Sequence, residues 1–136
     1  MKLRHTLPLI TALILAVPAT AGAATGSPVT PKIHMPFVGL TRSGKIQLQT
    51  AYDLRVGDTA TITYVVKRHR TTRGGFKVVG RFTHTVVTGN AFDKATIGFN
   101  RLEGGLRLGV GYKVFPHILD TSINVEDTAH PGRITL

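Results

Sequence analysis

Apolar and polar residues alternate along much of this chain, with a period of two. From Lys45 to Leu54, the residues Ile46, Leu48, Thr50, Tyr52 and Leu54 fall on one face. Lys45, Gln47, Gln49 and Asp53 fall on the other. From Thr59 to Arg70, Ala60, Ile62, Tyr64 and Val66 share a face, opposite Thr61, Thr63 and Lys67. From Phe76 to Thr88, Phe76, Val78, Gly80, Phe82, His84 and Val86 alternate with Lys77, Arg81, Thr83 and Thr85. Runs of this kind predict half-buried strands, and their threonine and valine content suits a pleated surface. The second and third runs meet at Thr71-Thr-Arg-Gly-Gly75, which predicts a β-hairpin with a basic tip.

Shorter elements flank this hairpin. Ile33, Met35 and Phe37 alternate up to Leu40, and Pro36 confines such a strand to a sheet edge. Arg55-Val-Gly-Asp58 and Thr88-Gly-Asn90 read as turns, and Ala95, Ile97 and Phe99 as a short strand. Asn100–Gly105 is a loop, Tyr112–Leu119 an extended run containing Pro116, and Arg133–Leu136 a last strand. Asp120–Gly132 is polar and loop-like. The region has no helical period. About seven short strands with Gly, Asn and Asp between them predict an all-β fold, a single antiparallel β-sandwich. An eight-stranded barrel would need one more strand.

The start of the chain follows a different pattern. Lys2, Arg4 and His5 precede the apolar run Leu7–Val17, and Pro18-Ala-Thr-Ala-Gly-Ala23 supplies small residues. This is the layout of a secretory signal peptide, with cleavage expected after Ala23 or, alternatively, Ala21. The apolar run is far shorter than the ~20 residues that cross a bilayer, so no membrane span is expected after cleavage. The predicted organisation is residues 1–23 as signal peptide, 24–32 as a flexible lead-in rich in Gly, Pro, Ser and Thr, and 33–136 as the sandwich domain. A secreted or cell-surface location follows.

Composition narrows the chemistry. The chain has 136 residues and no cysteine, so an exported domain of this kind folds without disulfides. Thiolate zinc sites are excluded as well. With 17 basic and 7 acidic residues the formal charge is +10, or +8 once Lys2 and Arg4 leave with the signal. A basic exported domain suits polyanionic surroundings such as an acidic polymer of cell wall or matrix. The candidate contact residues are Lys67, Arg68, Arg70, Arg73, Lys77 and Arg81, since no acid occurs between Thr59 and Asn90. Guanidinium groups suit phosphate, sulfate and carboxylate. The same charges can instead solubilise the hairpin and protect its edges. Phe76 and Phe82 are read into the core, so base stacking is not provided for and sequence-specific nucleic-acid recognition is not expected.

Other chemistry finds little support. His34, His69, His84, His117 and His130 have no local metal-site spacing and no neighbouring carboxylate in sequence, so no metal or other cofactor is predicted. Asp120, Asn124, Glu126 and Asp127 form a sparse set of oxygen donors without EF-hand spacing. Ser27, Ser43 and Ser122 lie in no nucleophile motif. Asp53, Asp58, Asp93 and Glu103 are read at turns or outward positions, where solvation is the default. No catalytic residue is predicted.

One motif adds detail. Leu106-Arg-Leu-Gly109-Val-Gly-Tyr112-Lys-Val114 resembles the tyrosine corner of fibronectin type III and related immunoglobulin-like domains, with Leu106, Gly109 and Tyr112 matching and Leu108 where proline is usual. Leu54–Val125, about half the chain, is similar to small exported bacterial immunoglobulin-like domains, with Asp120-Thr-Ser-Ile-Asn124 as a late loop. Pro116 departs from that pattern, since it removes a donor from a strand expected to be central. The resemblance implies that the Tyr112 hydroxyl ties back to upstream backbone and pins the crossover between sheets. It is compatible with binding, adhesive and spacer roles alike. Two functions are therefore carried forward: a non-enzymatic module contacting a polyanion, and a structural domain assembling with itself or with an exported protein partner.

Overall fold

The computed structural model describes residues 30–70 and 74–136, so the expected signal peptide, most of the lead-in and Arg73 lie outside the described residues. The fold is all-β. Its strands are β1 (Lys32–Ile33), β2 (Phe37–Leu40), β3 (Ile46–His69), β4 (Phe76–Ile97), β5 (Gly111–Asp120), β6 (Val125–Thr128) and β7 (Gly132–Thr135), with one 3-10 turn at Phe99–Arg101. All pairings are antiparallel: β3 pairs with β1, β2, β4 and β5, and β5 pairs with β6 and β7.

The strand count matches the expectation, but the chain is divided differently. Lys45–Leu54 and Thr59–Arg70 are not separate strands; they are the two halves of β3. The Phe76–Thr88 segment and the Ala95–Ile97 part of the next likewise merge into β4, while Phe99 falls in the 3-10 turn. The two predicted turns between these halves face each other across the hairpin. Leu54 pairs with Gly89 and Thr59 with Val87, so residues 55–58 bulge opposite Thr88. Gly57 (φ 93°), Thr88 (φ 57°) and Gly89 (φ 76°) take left-handed conformations there, and the Gly57 N–H donates to Thr88 Oγ1 at 2.8 Å. Turn chemistry on both strands at one level makes a shared corner, because a bulge bends its strand and tightens its twist.

Beyond the corner the two halves have different neighbours. The first half of β3 carries β1 and β2, and the second half carries β5. The sheet therefore curls, an arrangement compatible with a β-sandwich, and both halves face one core. Ile46, Leu48, Leu54 and Ile97 from one half share this core with Ile62, Tyr64, Val66, Val114 and Ile118 from the other. The open sides meet where β1 and β2 pack against β6 and β7. There the Ile33 N–H donates to Asp127 Oδ2 at 2.9 Å. Strand β6 arises inside the segment expected to be a loop. Its exposed polar residues give no alternation, and pairing with β5 makes it a strand.

Pro116 lies within β5 without breaking it. The outer partner of β5 changes along its length: β7 covers Gly111–Val114 and β6 covers His117–Asp120. Phe115 and Pro116 fall in the gap between the two pairings, where a missing donor is tolerated.

Candidate functional site

The far end of the β3–β4 hairpin carries most of the basic residues singled out above, and the structure divides them between two faces. Alternation along β3 sends Lys67 outward and Arg68 inward, and a second irregularity, in β4, sends Lys77 inward as well. Val66 pairs with Gly80 but Lys67 pairs with Val78, so Val79 is the extra residue. Val79 is 4% exposed and belongs to the core, while Val78 is 36% exposed. Slipping by one residue flips every later side chain to the other face. Phe76 and Val78, expected inside, thus lie on the outer face with His69 and Lys67, and Lys77 lies on the inner side with Arg68.

On the outer face three cations stand directly across from one another: Lys67 of β3 opposite Lys113 of β5, and Lys113 opposite Arg133 of β7. The Lys67 ammonium lies 4.4 Å from the centre of the Phe115 ring, and that of Lys113 lies 4.3 Å from the centre of Phe76. His69 meets Phe76 edge-on at 5.4 Å. Arg81 is exposed on the same face, opposite Val65. Arg70 is exposed at the end of β3, where its N–H donates to the Gly75 carbonyl at 2.9 Å. None of these rows contains a carboxylate.

On the inner side Lys77 and Arg68 face each other and turn toward the loop after the 3-10 turn. Lys77 Nζ donates to Glu103 Oε1 at 2.6 Å. That bond, then the Lys77 charge, and more weakly the Arg68 charge hold the Glu103 carboxyl below its usual range. Of the six basic candidates, Lys67 and Arg81 therefore share the outer face, Arg68 and Lys77 the inner side, and Arg70 the turn. Lys113, Phe115 and Arg133 were not singled out from sequence. The Tyr112–Leu119 alternation does place Lys113, Phe115 and His117 on one face, and that was the available signal.

Next to this loop the Tyr112 ring is buried, and its hydroxyl accepts the Arg107 N–H at 2.9 Å. Gly109 adopts φ 74°, and Leu106 packs against the core.

Two sequence readings need correction. Asp58 and Asp93 are buried, not solvated. Asp58 pairs with Arg55, and Asp93 accepts the Tyr64 hydroxyl at 2.6 Å. Histidines without acidic neighbours in sequence also gain them through the fold. His84 Nδ1 lies 3.1 Å from Asp93 Oδ2, His117 Nε2 lies 2.8 Å from Glu126 and His34 Nε2 lies 3.3 Å from Asp53. These are pairs, and among the described residues no three His, Asp or Glu side chains cluster as a metal site. The oxygen donors near residue 120 are likewise dispersed: Asp120 is buried and accepts the Ser122 N–H, Glu126 faces His117, and Asp127 holds Ile33. Among the described residues no helix is long and apolar enough to cross a membrane.

No known family matches this chain, and no curated protein shows significant similarity to it.

Proposed function

We propose that this is an exported, non-enzymatic module of immunoglobulin-like kind that contacts a polyanionic polymer of the cell envelope or matrix. The observation that carries the reading is the row Lys67–Lys113–Arg133. Like charges directly opposite in neighbouring strands destabilise a sheet, and here three stand in line with no carboxylate to relieve them. A ligand that supplies negative charge along the row offsets that cost. The contact surface is then the outer sheet face near the hairpin tip, with Arg81 and Arg70 at its margins. The immunoglobulin-like part of the reading is supported by the Leu106–Tyr112 corner.

The test is binding to heparin or a teichoic-acid-type polymer across a salt series, with wild type and a K67A/K113A/R133A variant. Binding should weaken steeply with salt. The triple variant should lower the slope of log K against log salt by about 3, on the order of one per lost contact. Salt-insensitive binding, or a variant as good as wild type, ends the proposal.

A second reading, self-assembly or docking of an exported partner, is favoured by a different observation. Leu40, Phe99, Leu106, Leu108 and Leu136 line a groove of about 460 Å³, and Leu108 is 91% exposed. Among the described residues β4 has β3 as its only strand partner, and its other edge is met by the loop at Glu103, which bonds Val79. Sedimentation over a wide concentration range tests this, and a constant monomer mass would dismiss self-association.

A further inference from the structure

We propose that Arg68, Arg107 and the Gly104-Gly105 turn form a site for one tetrahedral oxyanion, such as the phosphate or sulfate group of a monoester. It lies on the inner side of the hairpin end, apart from the outer row. A Cβ placed on Gly104 would stand 3.3 Å from Arg68 Nη1 and 3.5 Å from Arg107 Nη2. Two guanidinium groups, one from the end of β3 and one from the loop before β5, thus both come within 3.5 Å of a single point that glycine leaves vacant. Their nitrogens lie within about 7 Å of each other, a separation at which like charges repel.

Arg68 Nη1 is buried and has no hydrogen-bond partner among the described residues, and an unpaired charged donor is costly to keep. The nearby carboxylate, Glu103, bonds to Lys77 at 2.6 Å and not to Arg68 Nη1. Two positive charges remain for one ligand. A phosphate monoester carries about −1.5 to −2 at neutral pH, and the planar guanidinium fork matches its oxygens.

The site is open on the Gly104–Arg107 side and closed behind Arg68 Nη1, and its backbone frame is held. Gly104 and Arg107 are exposed. The turn needs glycine for φ 72° and φ 66° at residues 104 and 105. The Glu103 N–H donates to the Val79 carbonyl at 2.8 Å, Gly105 to Leu102 at 3.0 Å, and Arg107 to the Tyr112 hydroxyl at 2.9 Å. The backbone of the turn is thus ordered before an anion binds, which favours affinity.

Titration with inorganic phosphate and, separately, sulfate at fixed ionic strength tests the site, read by amide NMR shifts of Gly104 and Gly105 and by thermal midpoint. Saturable shifts with a Kd of about 1 mM are expected, with a raised midpoint, and chloride should produce neither. A preference for one oxyanion identifies the ester class. Arg107→Ala, on an exposed side chain, should weaken binding at least tenfold. Arg68→Lys, which keeps charge and stem but loses the fork, should do the same. Lys113→Ala should leave phosphate binding unchanged while weakening polymer binding, so the two sites fail separately. A linear, unsaturated response up to about 50 mM, a shift that survives in Arg107→Ala, or one lost equally in Lys113→Ala would overturn the proposal.

Discussion

At the scale of single residues, Tyr64 joins the two halves of the curled sheet. Its ring is buried in the half of β3 beyond the corner, and its hydroxyl donates to Asp93 in the other half at 2.6 Å. Asp93 also lies beside His84, whose ring meets Tyr64 edge-on at 6.1 Å. Burial, then the bond to Asp93, pushes the Tyr64 hydroxyl far above its ordinary 10.0, and burial and then the Asp93 charge push Tyr52 up as well. The sign follows directly. Both groups hold their protons longer in the folded chain, so their contribution is complete below about pH 10 and is lost as pH rises further. Tyr64→Phe should cost about 2 kcal/mol in denaturant unfolding, as for a lost bond to a charged acceptor. It should also flatten the decline of stability above pH 10. An unchanged alkaline profile would remove Tyr64 from this role. The inward face of Tyr64 is legible in the β3 alternation. Asp93 was harder to place, although it is in phase with Ala95 and Ile97. A carboxylate beside a Gly-Asn turn reads as solvated, and only the fold of one hairpin half over the other brings Tyr64 to it.

At the scale of the element, the hairpin depends on two irregularities that a period of two cannot represent. The corner at residues 55–58 uses residues that look like a chain reversal. Gly57 and Gly89 carry the positive φ that a turn would need, and a corner shared by two strands needs it equally. The bulge at Val79 is less visible still, because Val78 and Val79 are identical and either could face the core. Continuing the alternation from Phe76 selects Val78; the structure selects Val79. Gly80 marks the spot, since a Cβ there would lie 2.7 Å from the Phe82 ring and 3.0 Å from Leu102. The two valines give a direct comparison. Val79→Ala should cost about 2 kcal/mol as a core truncation, and Val78→Ala should stay within about 0.5 kcal/mol as a surface change. Equal costs, or the reverse order, would return the hairpin to simple alternation. They would also return Lys77 to the outer face and away from Glu103, while the row Lys67–Lys113–Arg133, set by the β3–β5–β7 pairing, would stay in place.

At the scale of the whole molecule, the question is what keeps a curled sheet closed without disulfides. The long β3–β4 ladder cannot do it alone, since it bends over the core at the corner and leaves the sides away from that corner open. Closure falls to the seam where β1 and β2 meet β6 and β7, and this seam is short. It was not legible along the chain, because β6 has no alternation and the contacts join segments about a hundred residues apart. Gly132 packs there with no room for a side chain: a Cβ would run into the Pro36 carbonyl oxygen and come within 2.6 Å of Val38 Cγ2. A backbone oxygen cannot rotate away. Gly111, on the strand that pairs with β7, is a matched control, since its Cβ would meet only Thr135 Oγ1 at 3.8 Å. Neither glycine has a positive φ, so alanine at either position tests space and not backbone strain. Gly132→Ala should therefore lower stability by about 3 kcal/mol, at the upper end for overpacking, while Gly111→Ala changes it little. Because the hairpin has its own ladder, amide exchange should accelerate first in β1, β2, β6 and β7 and remain slow in the centre of β3. Uniform acceleration would mean that seam and hairpin open as one unit. Equal stability of the two alanine variants would mean that closure is maintained elsewhere.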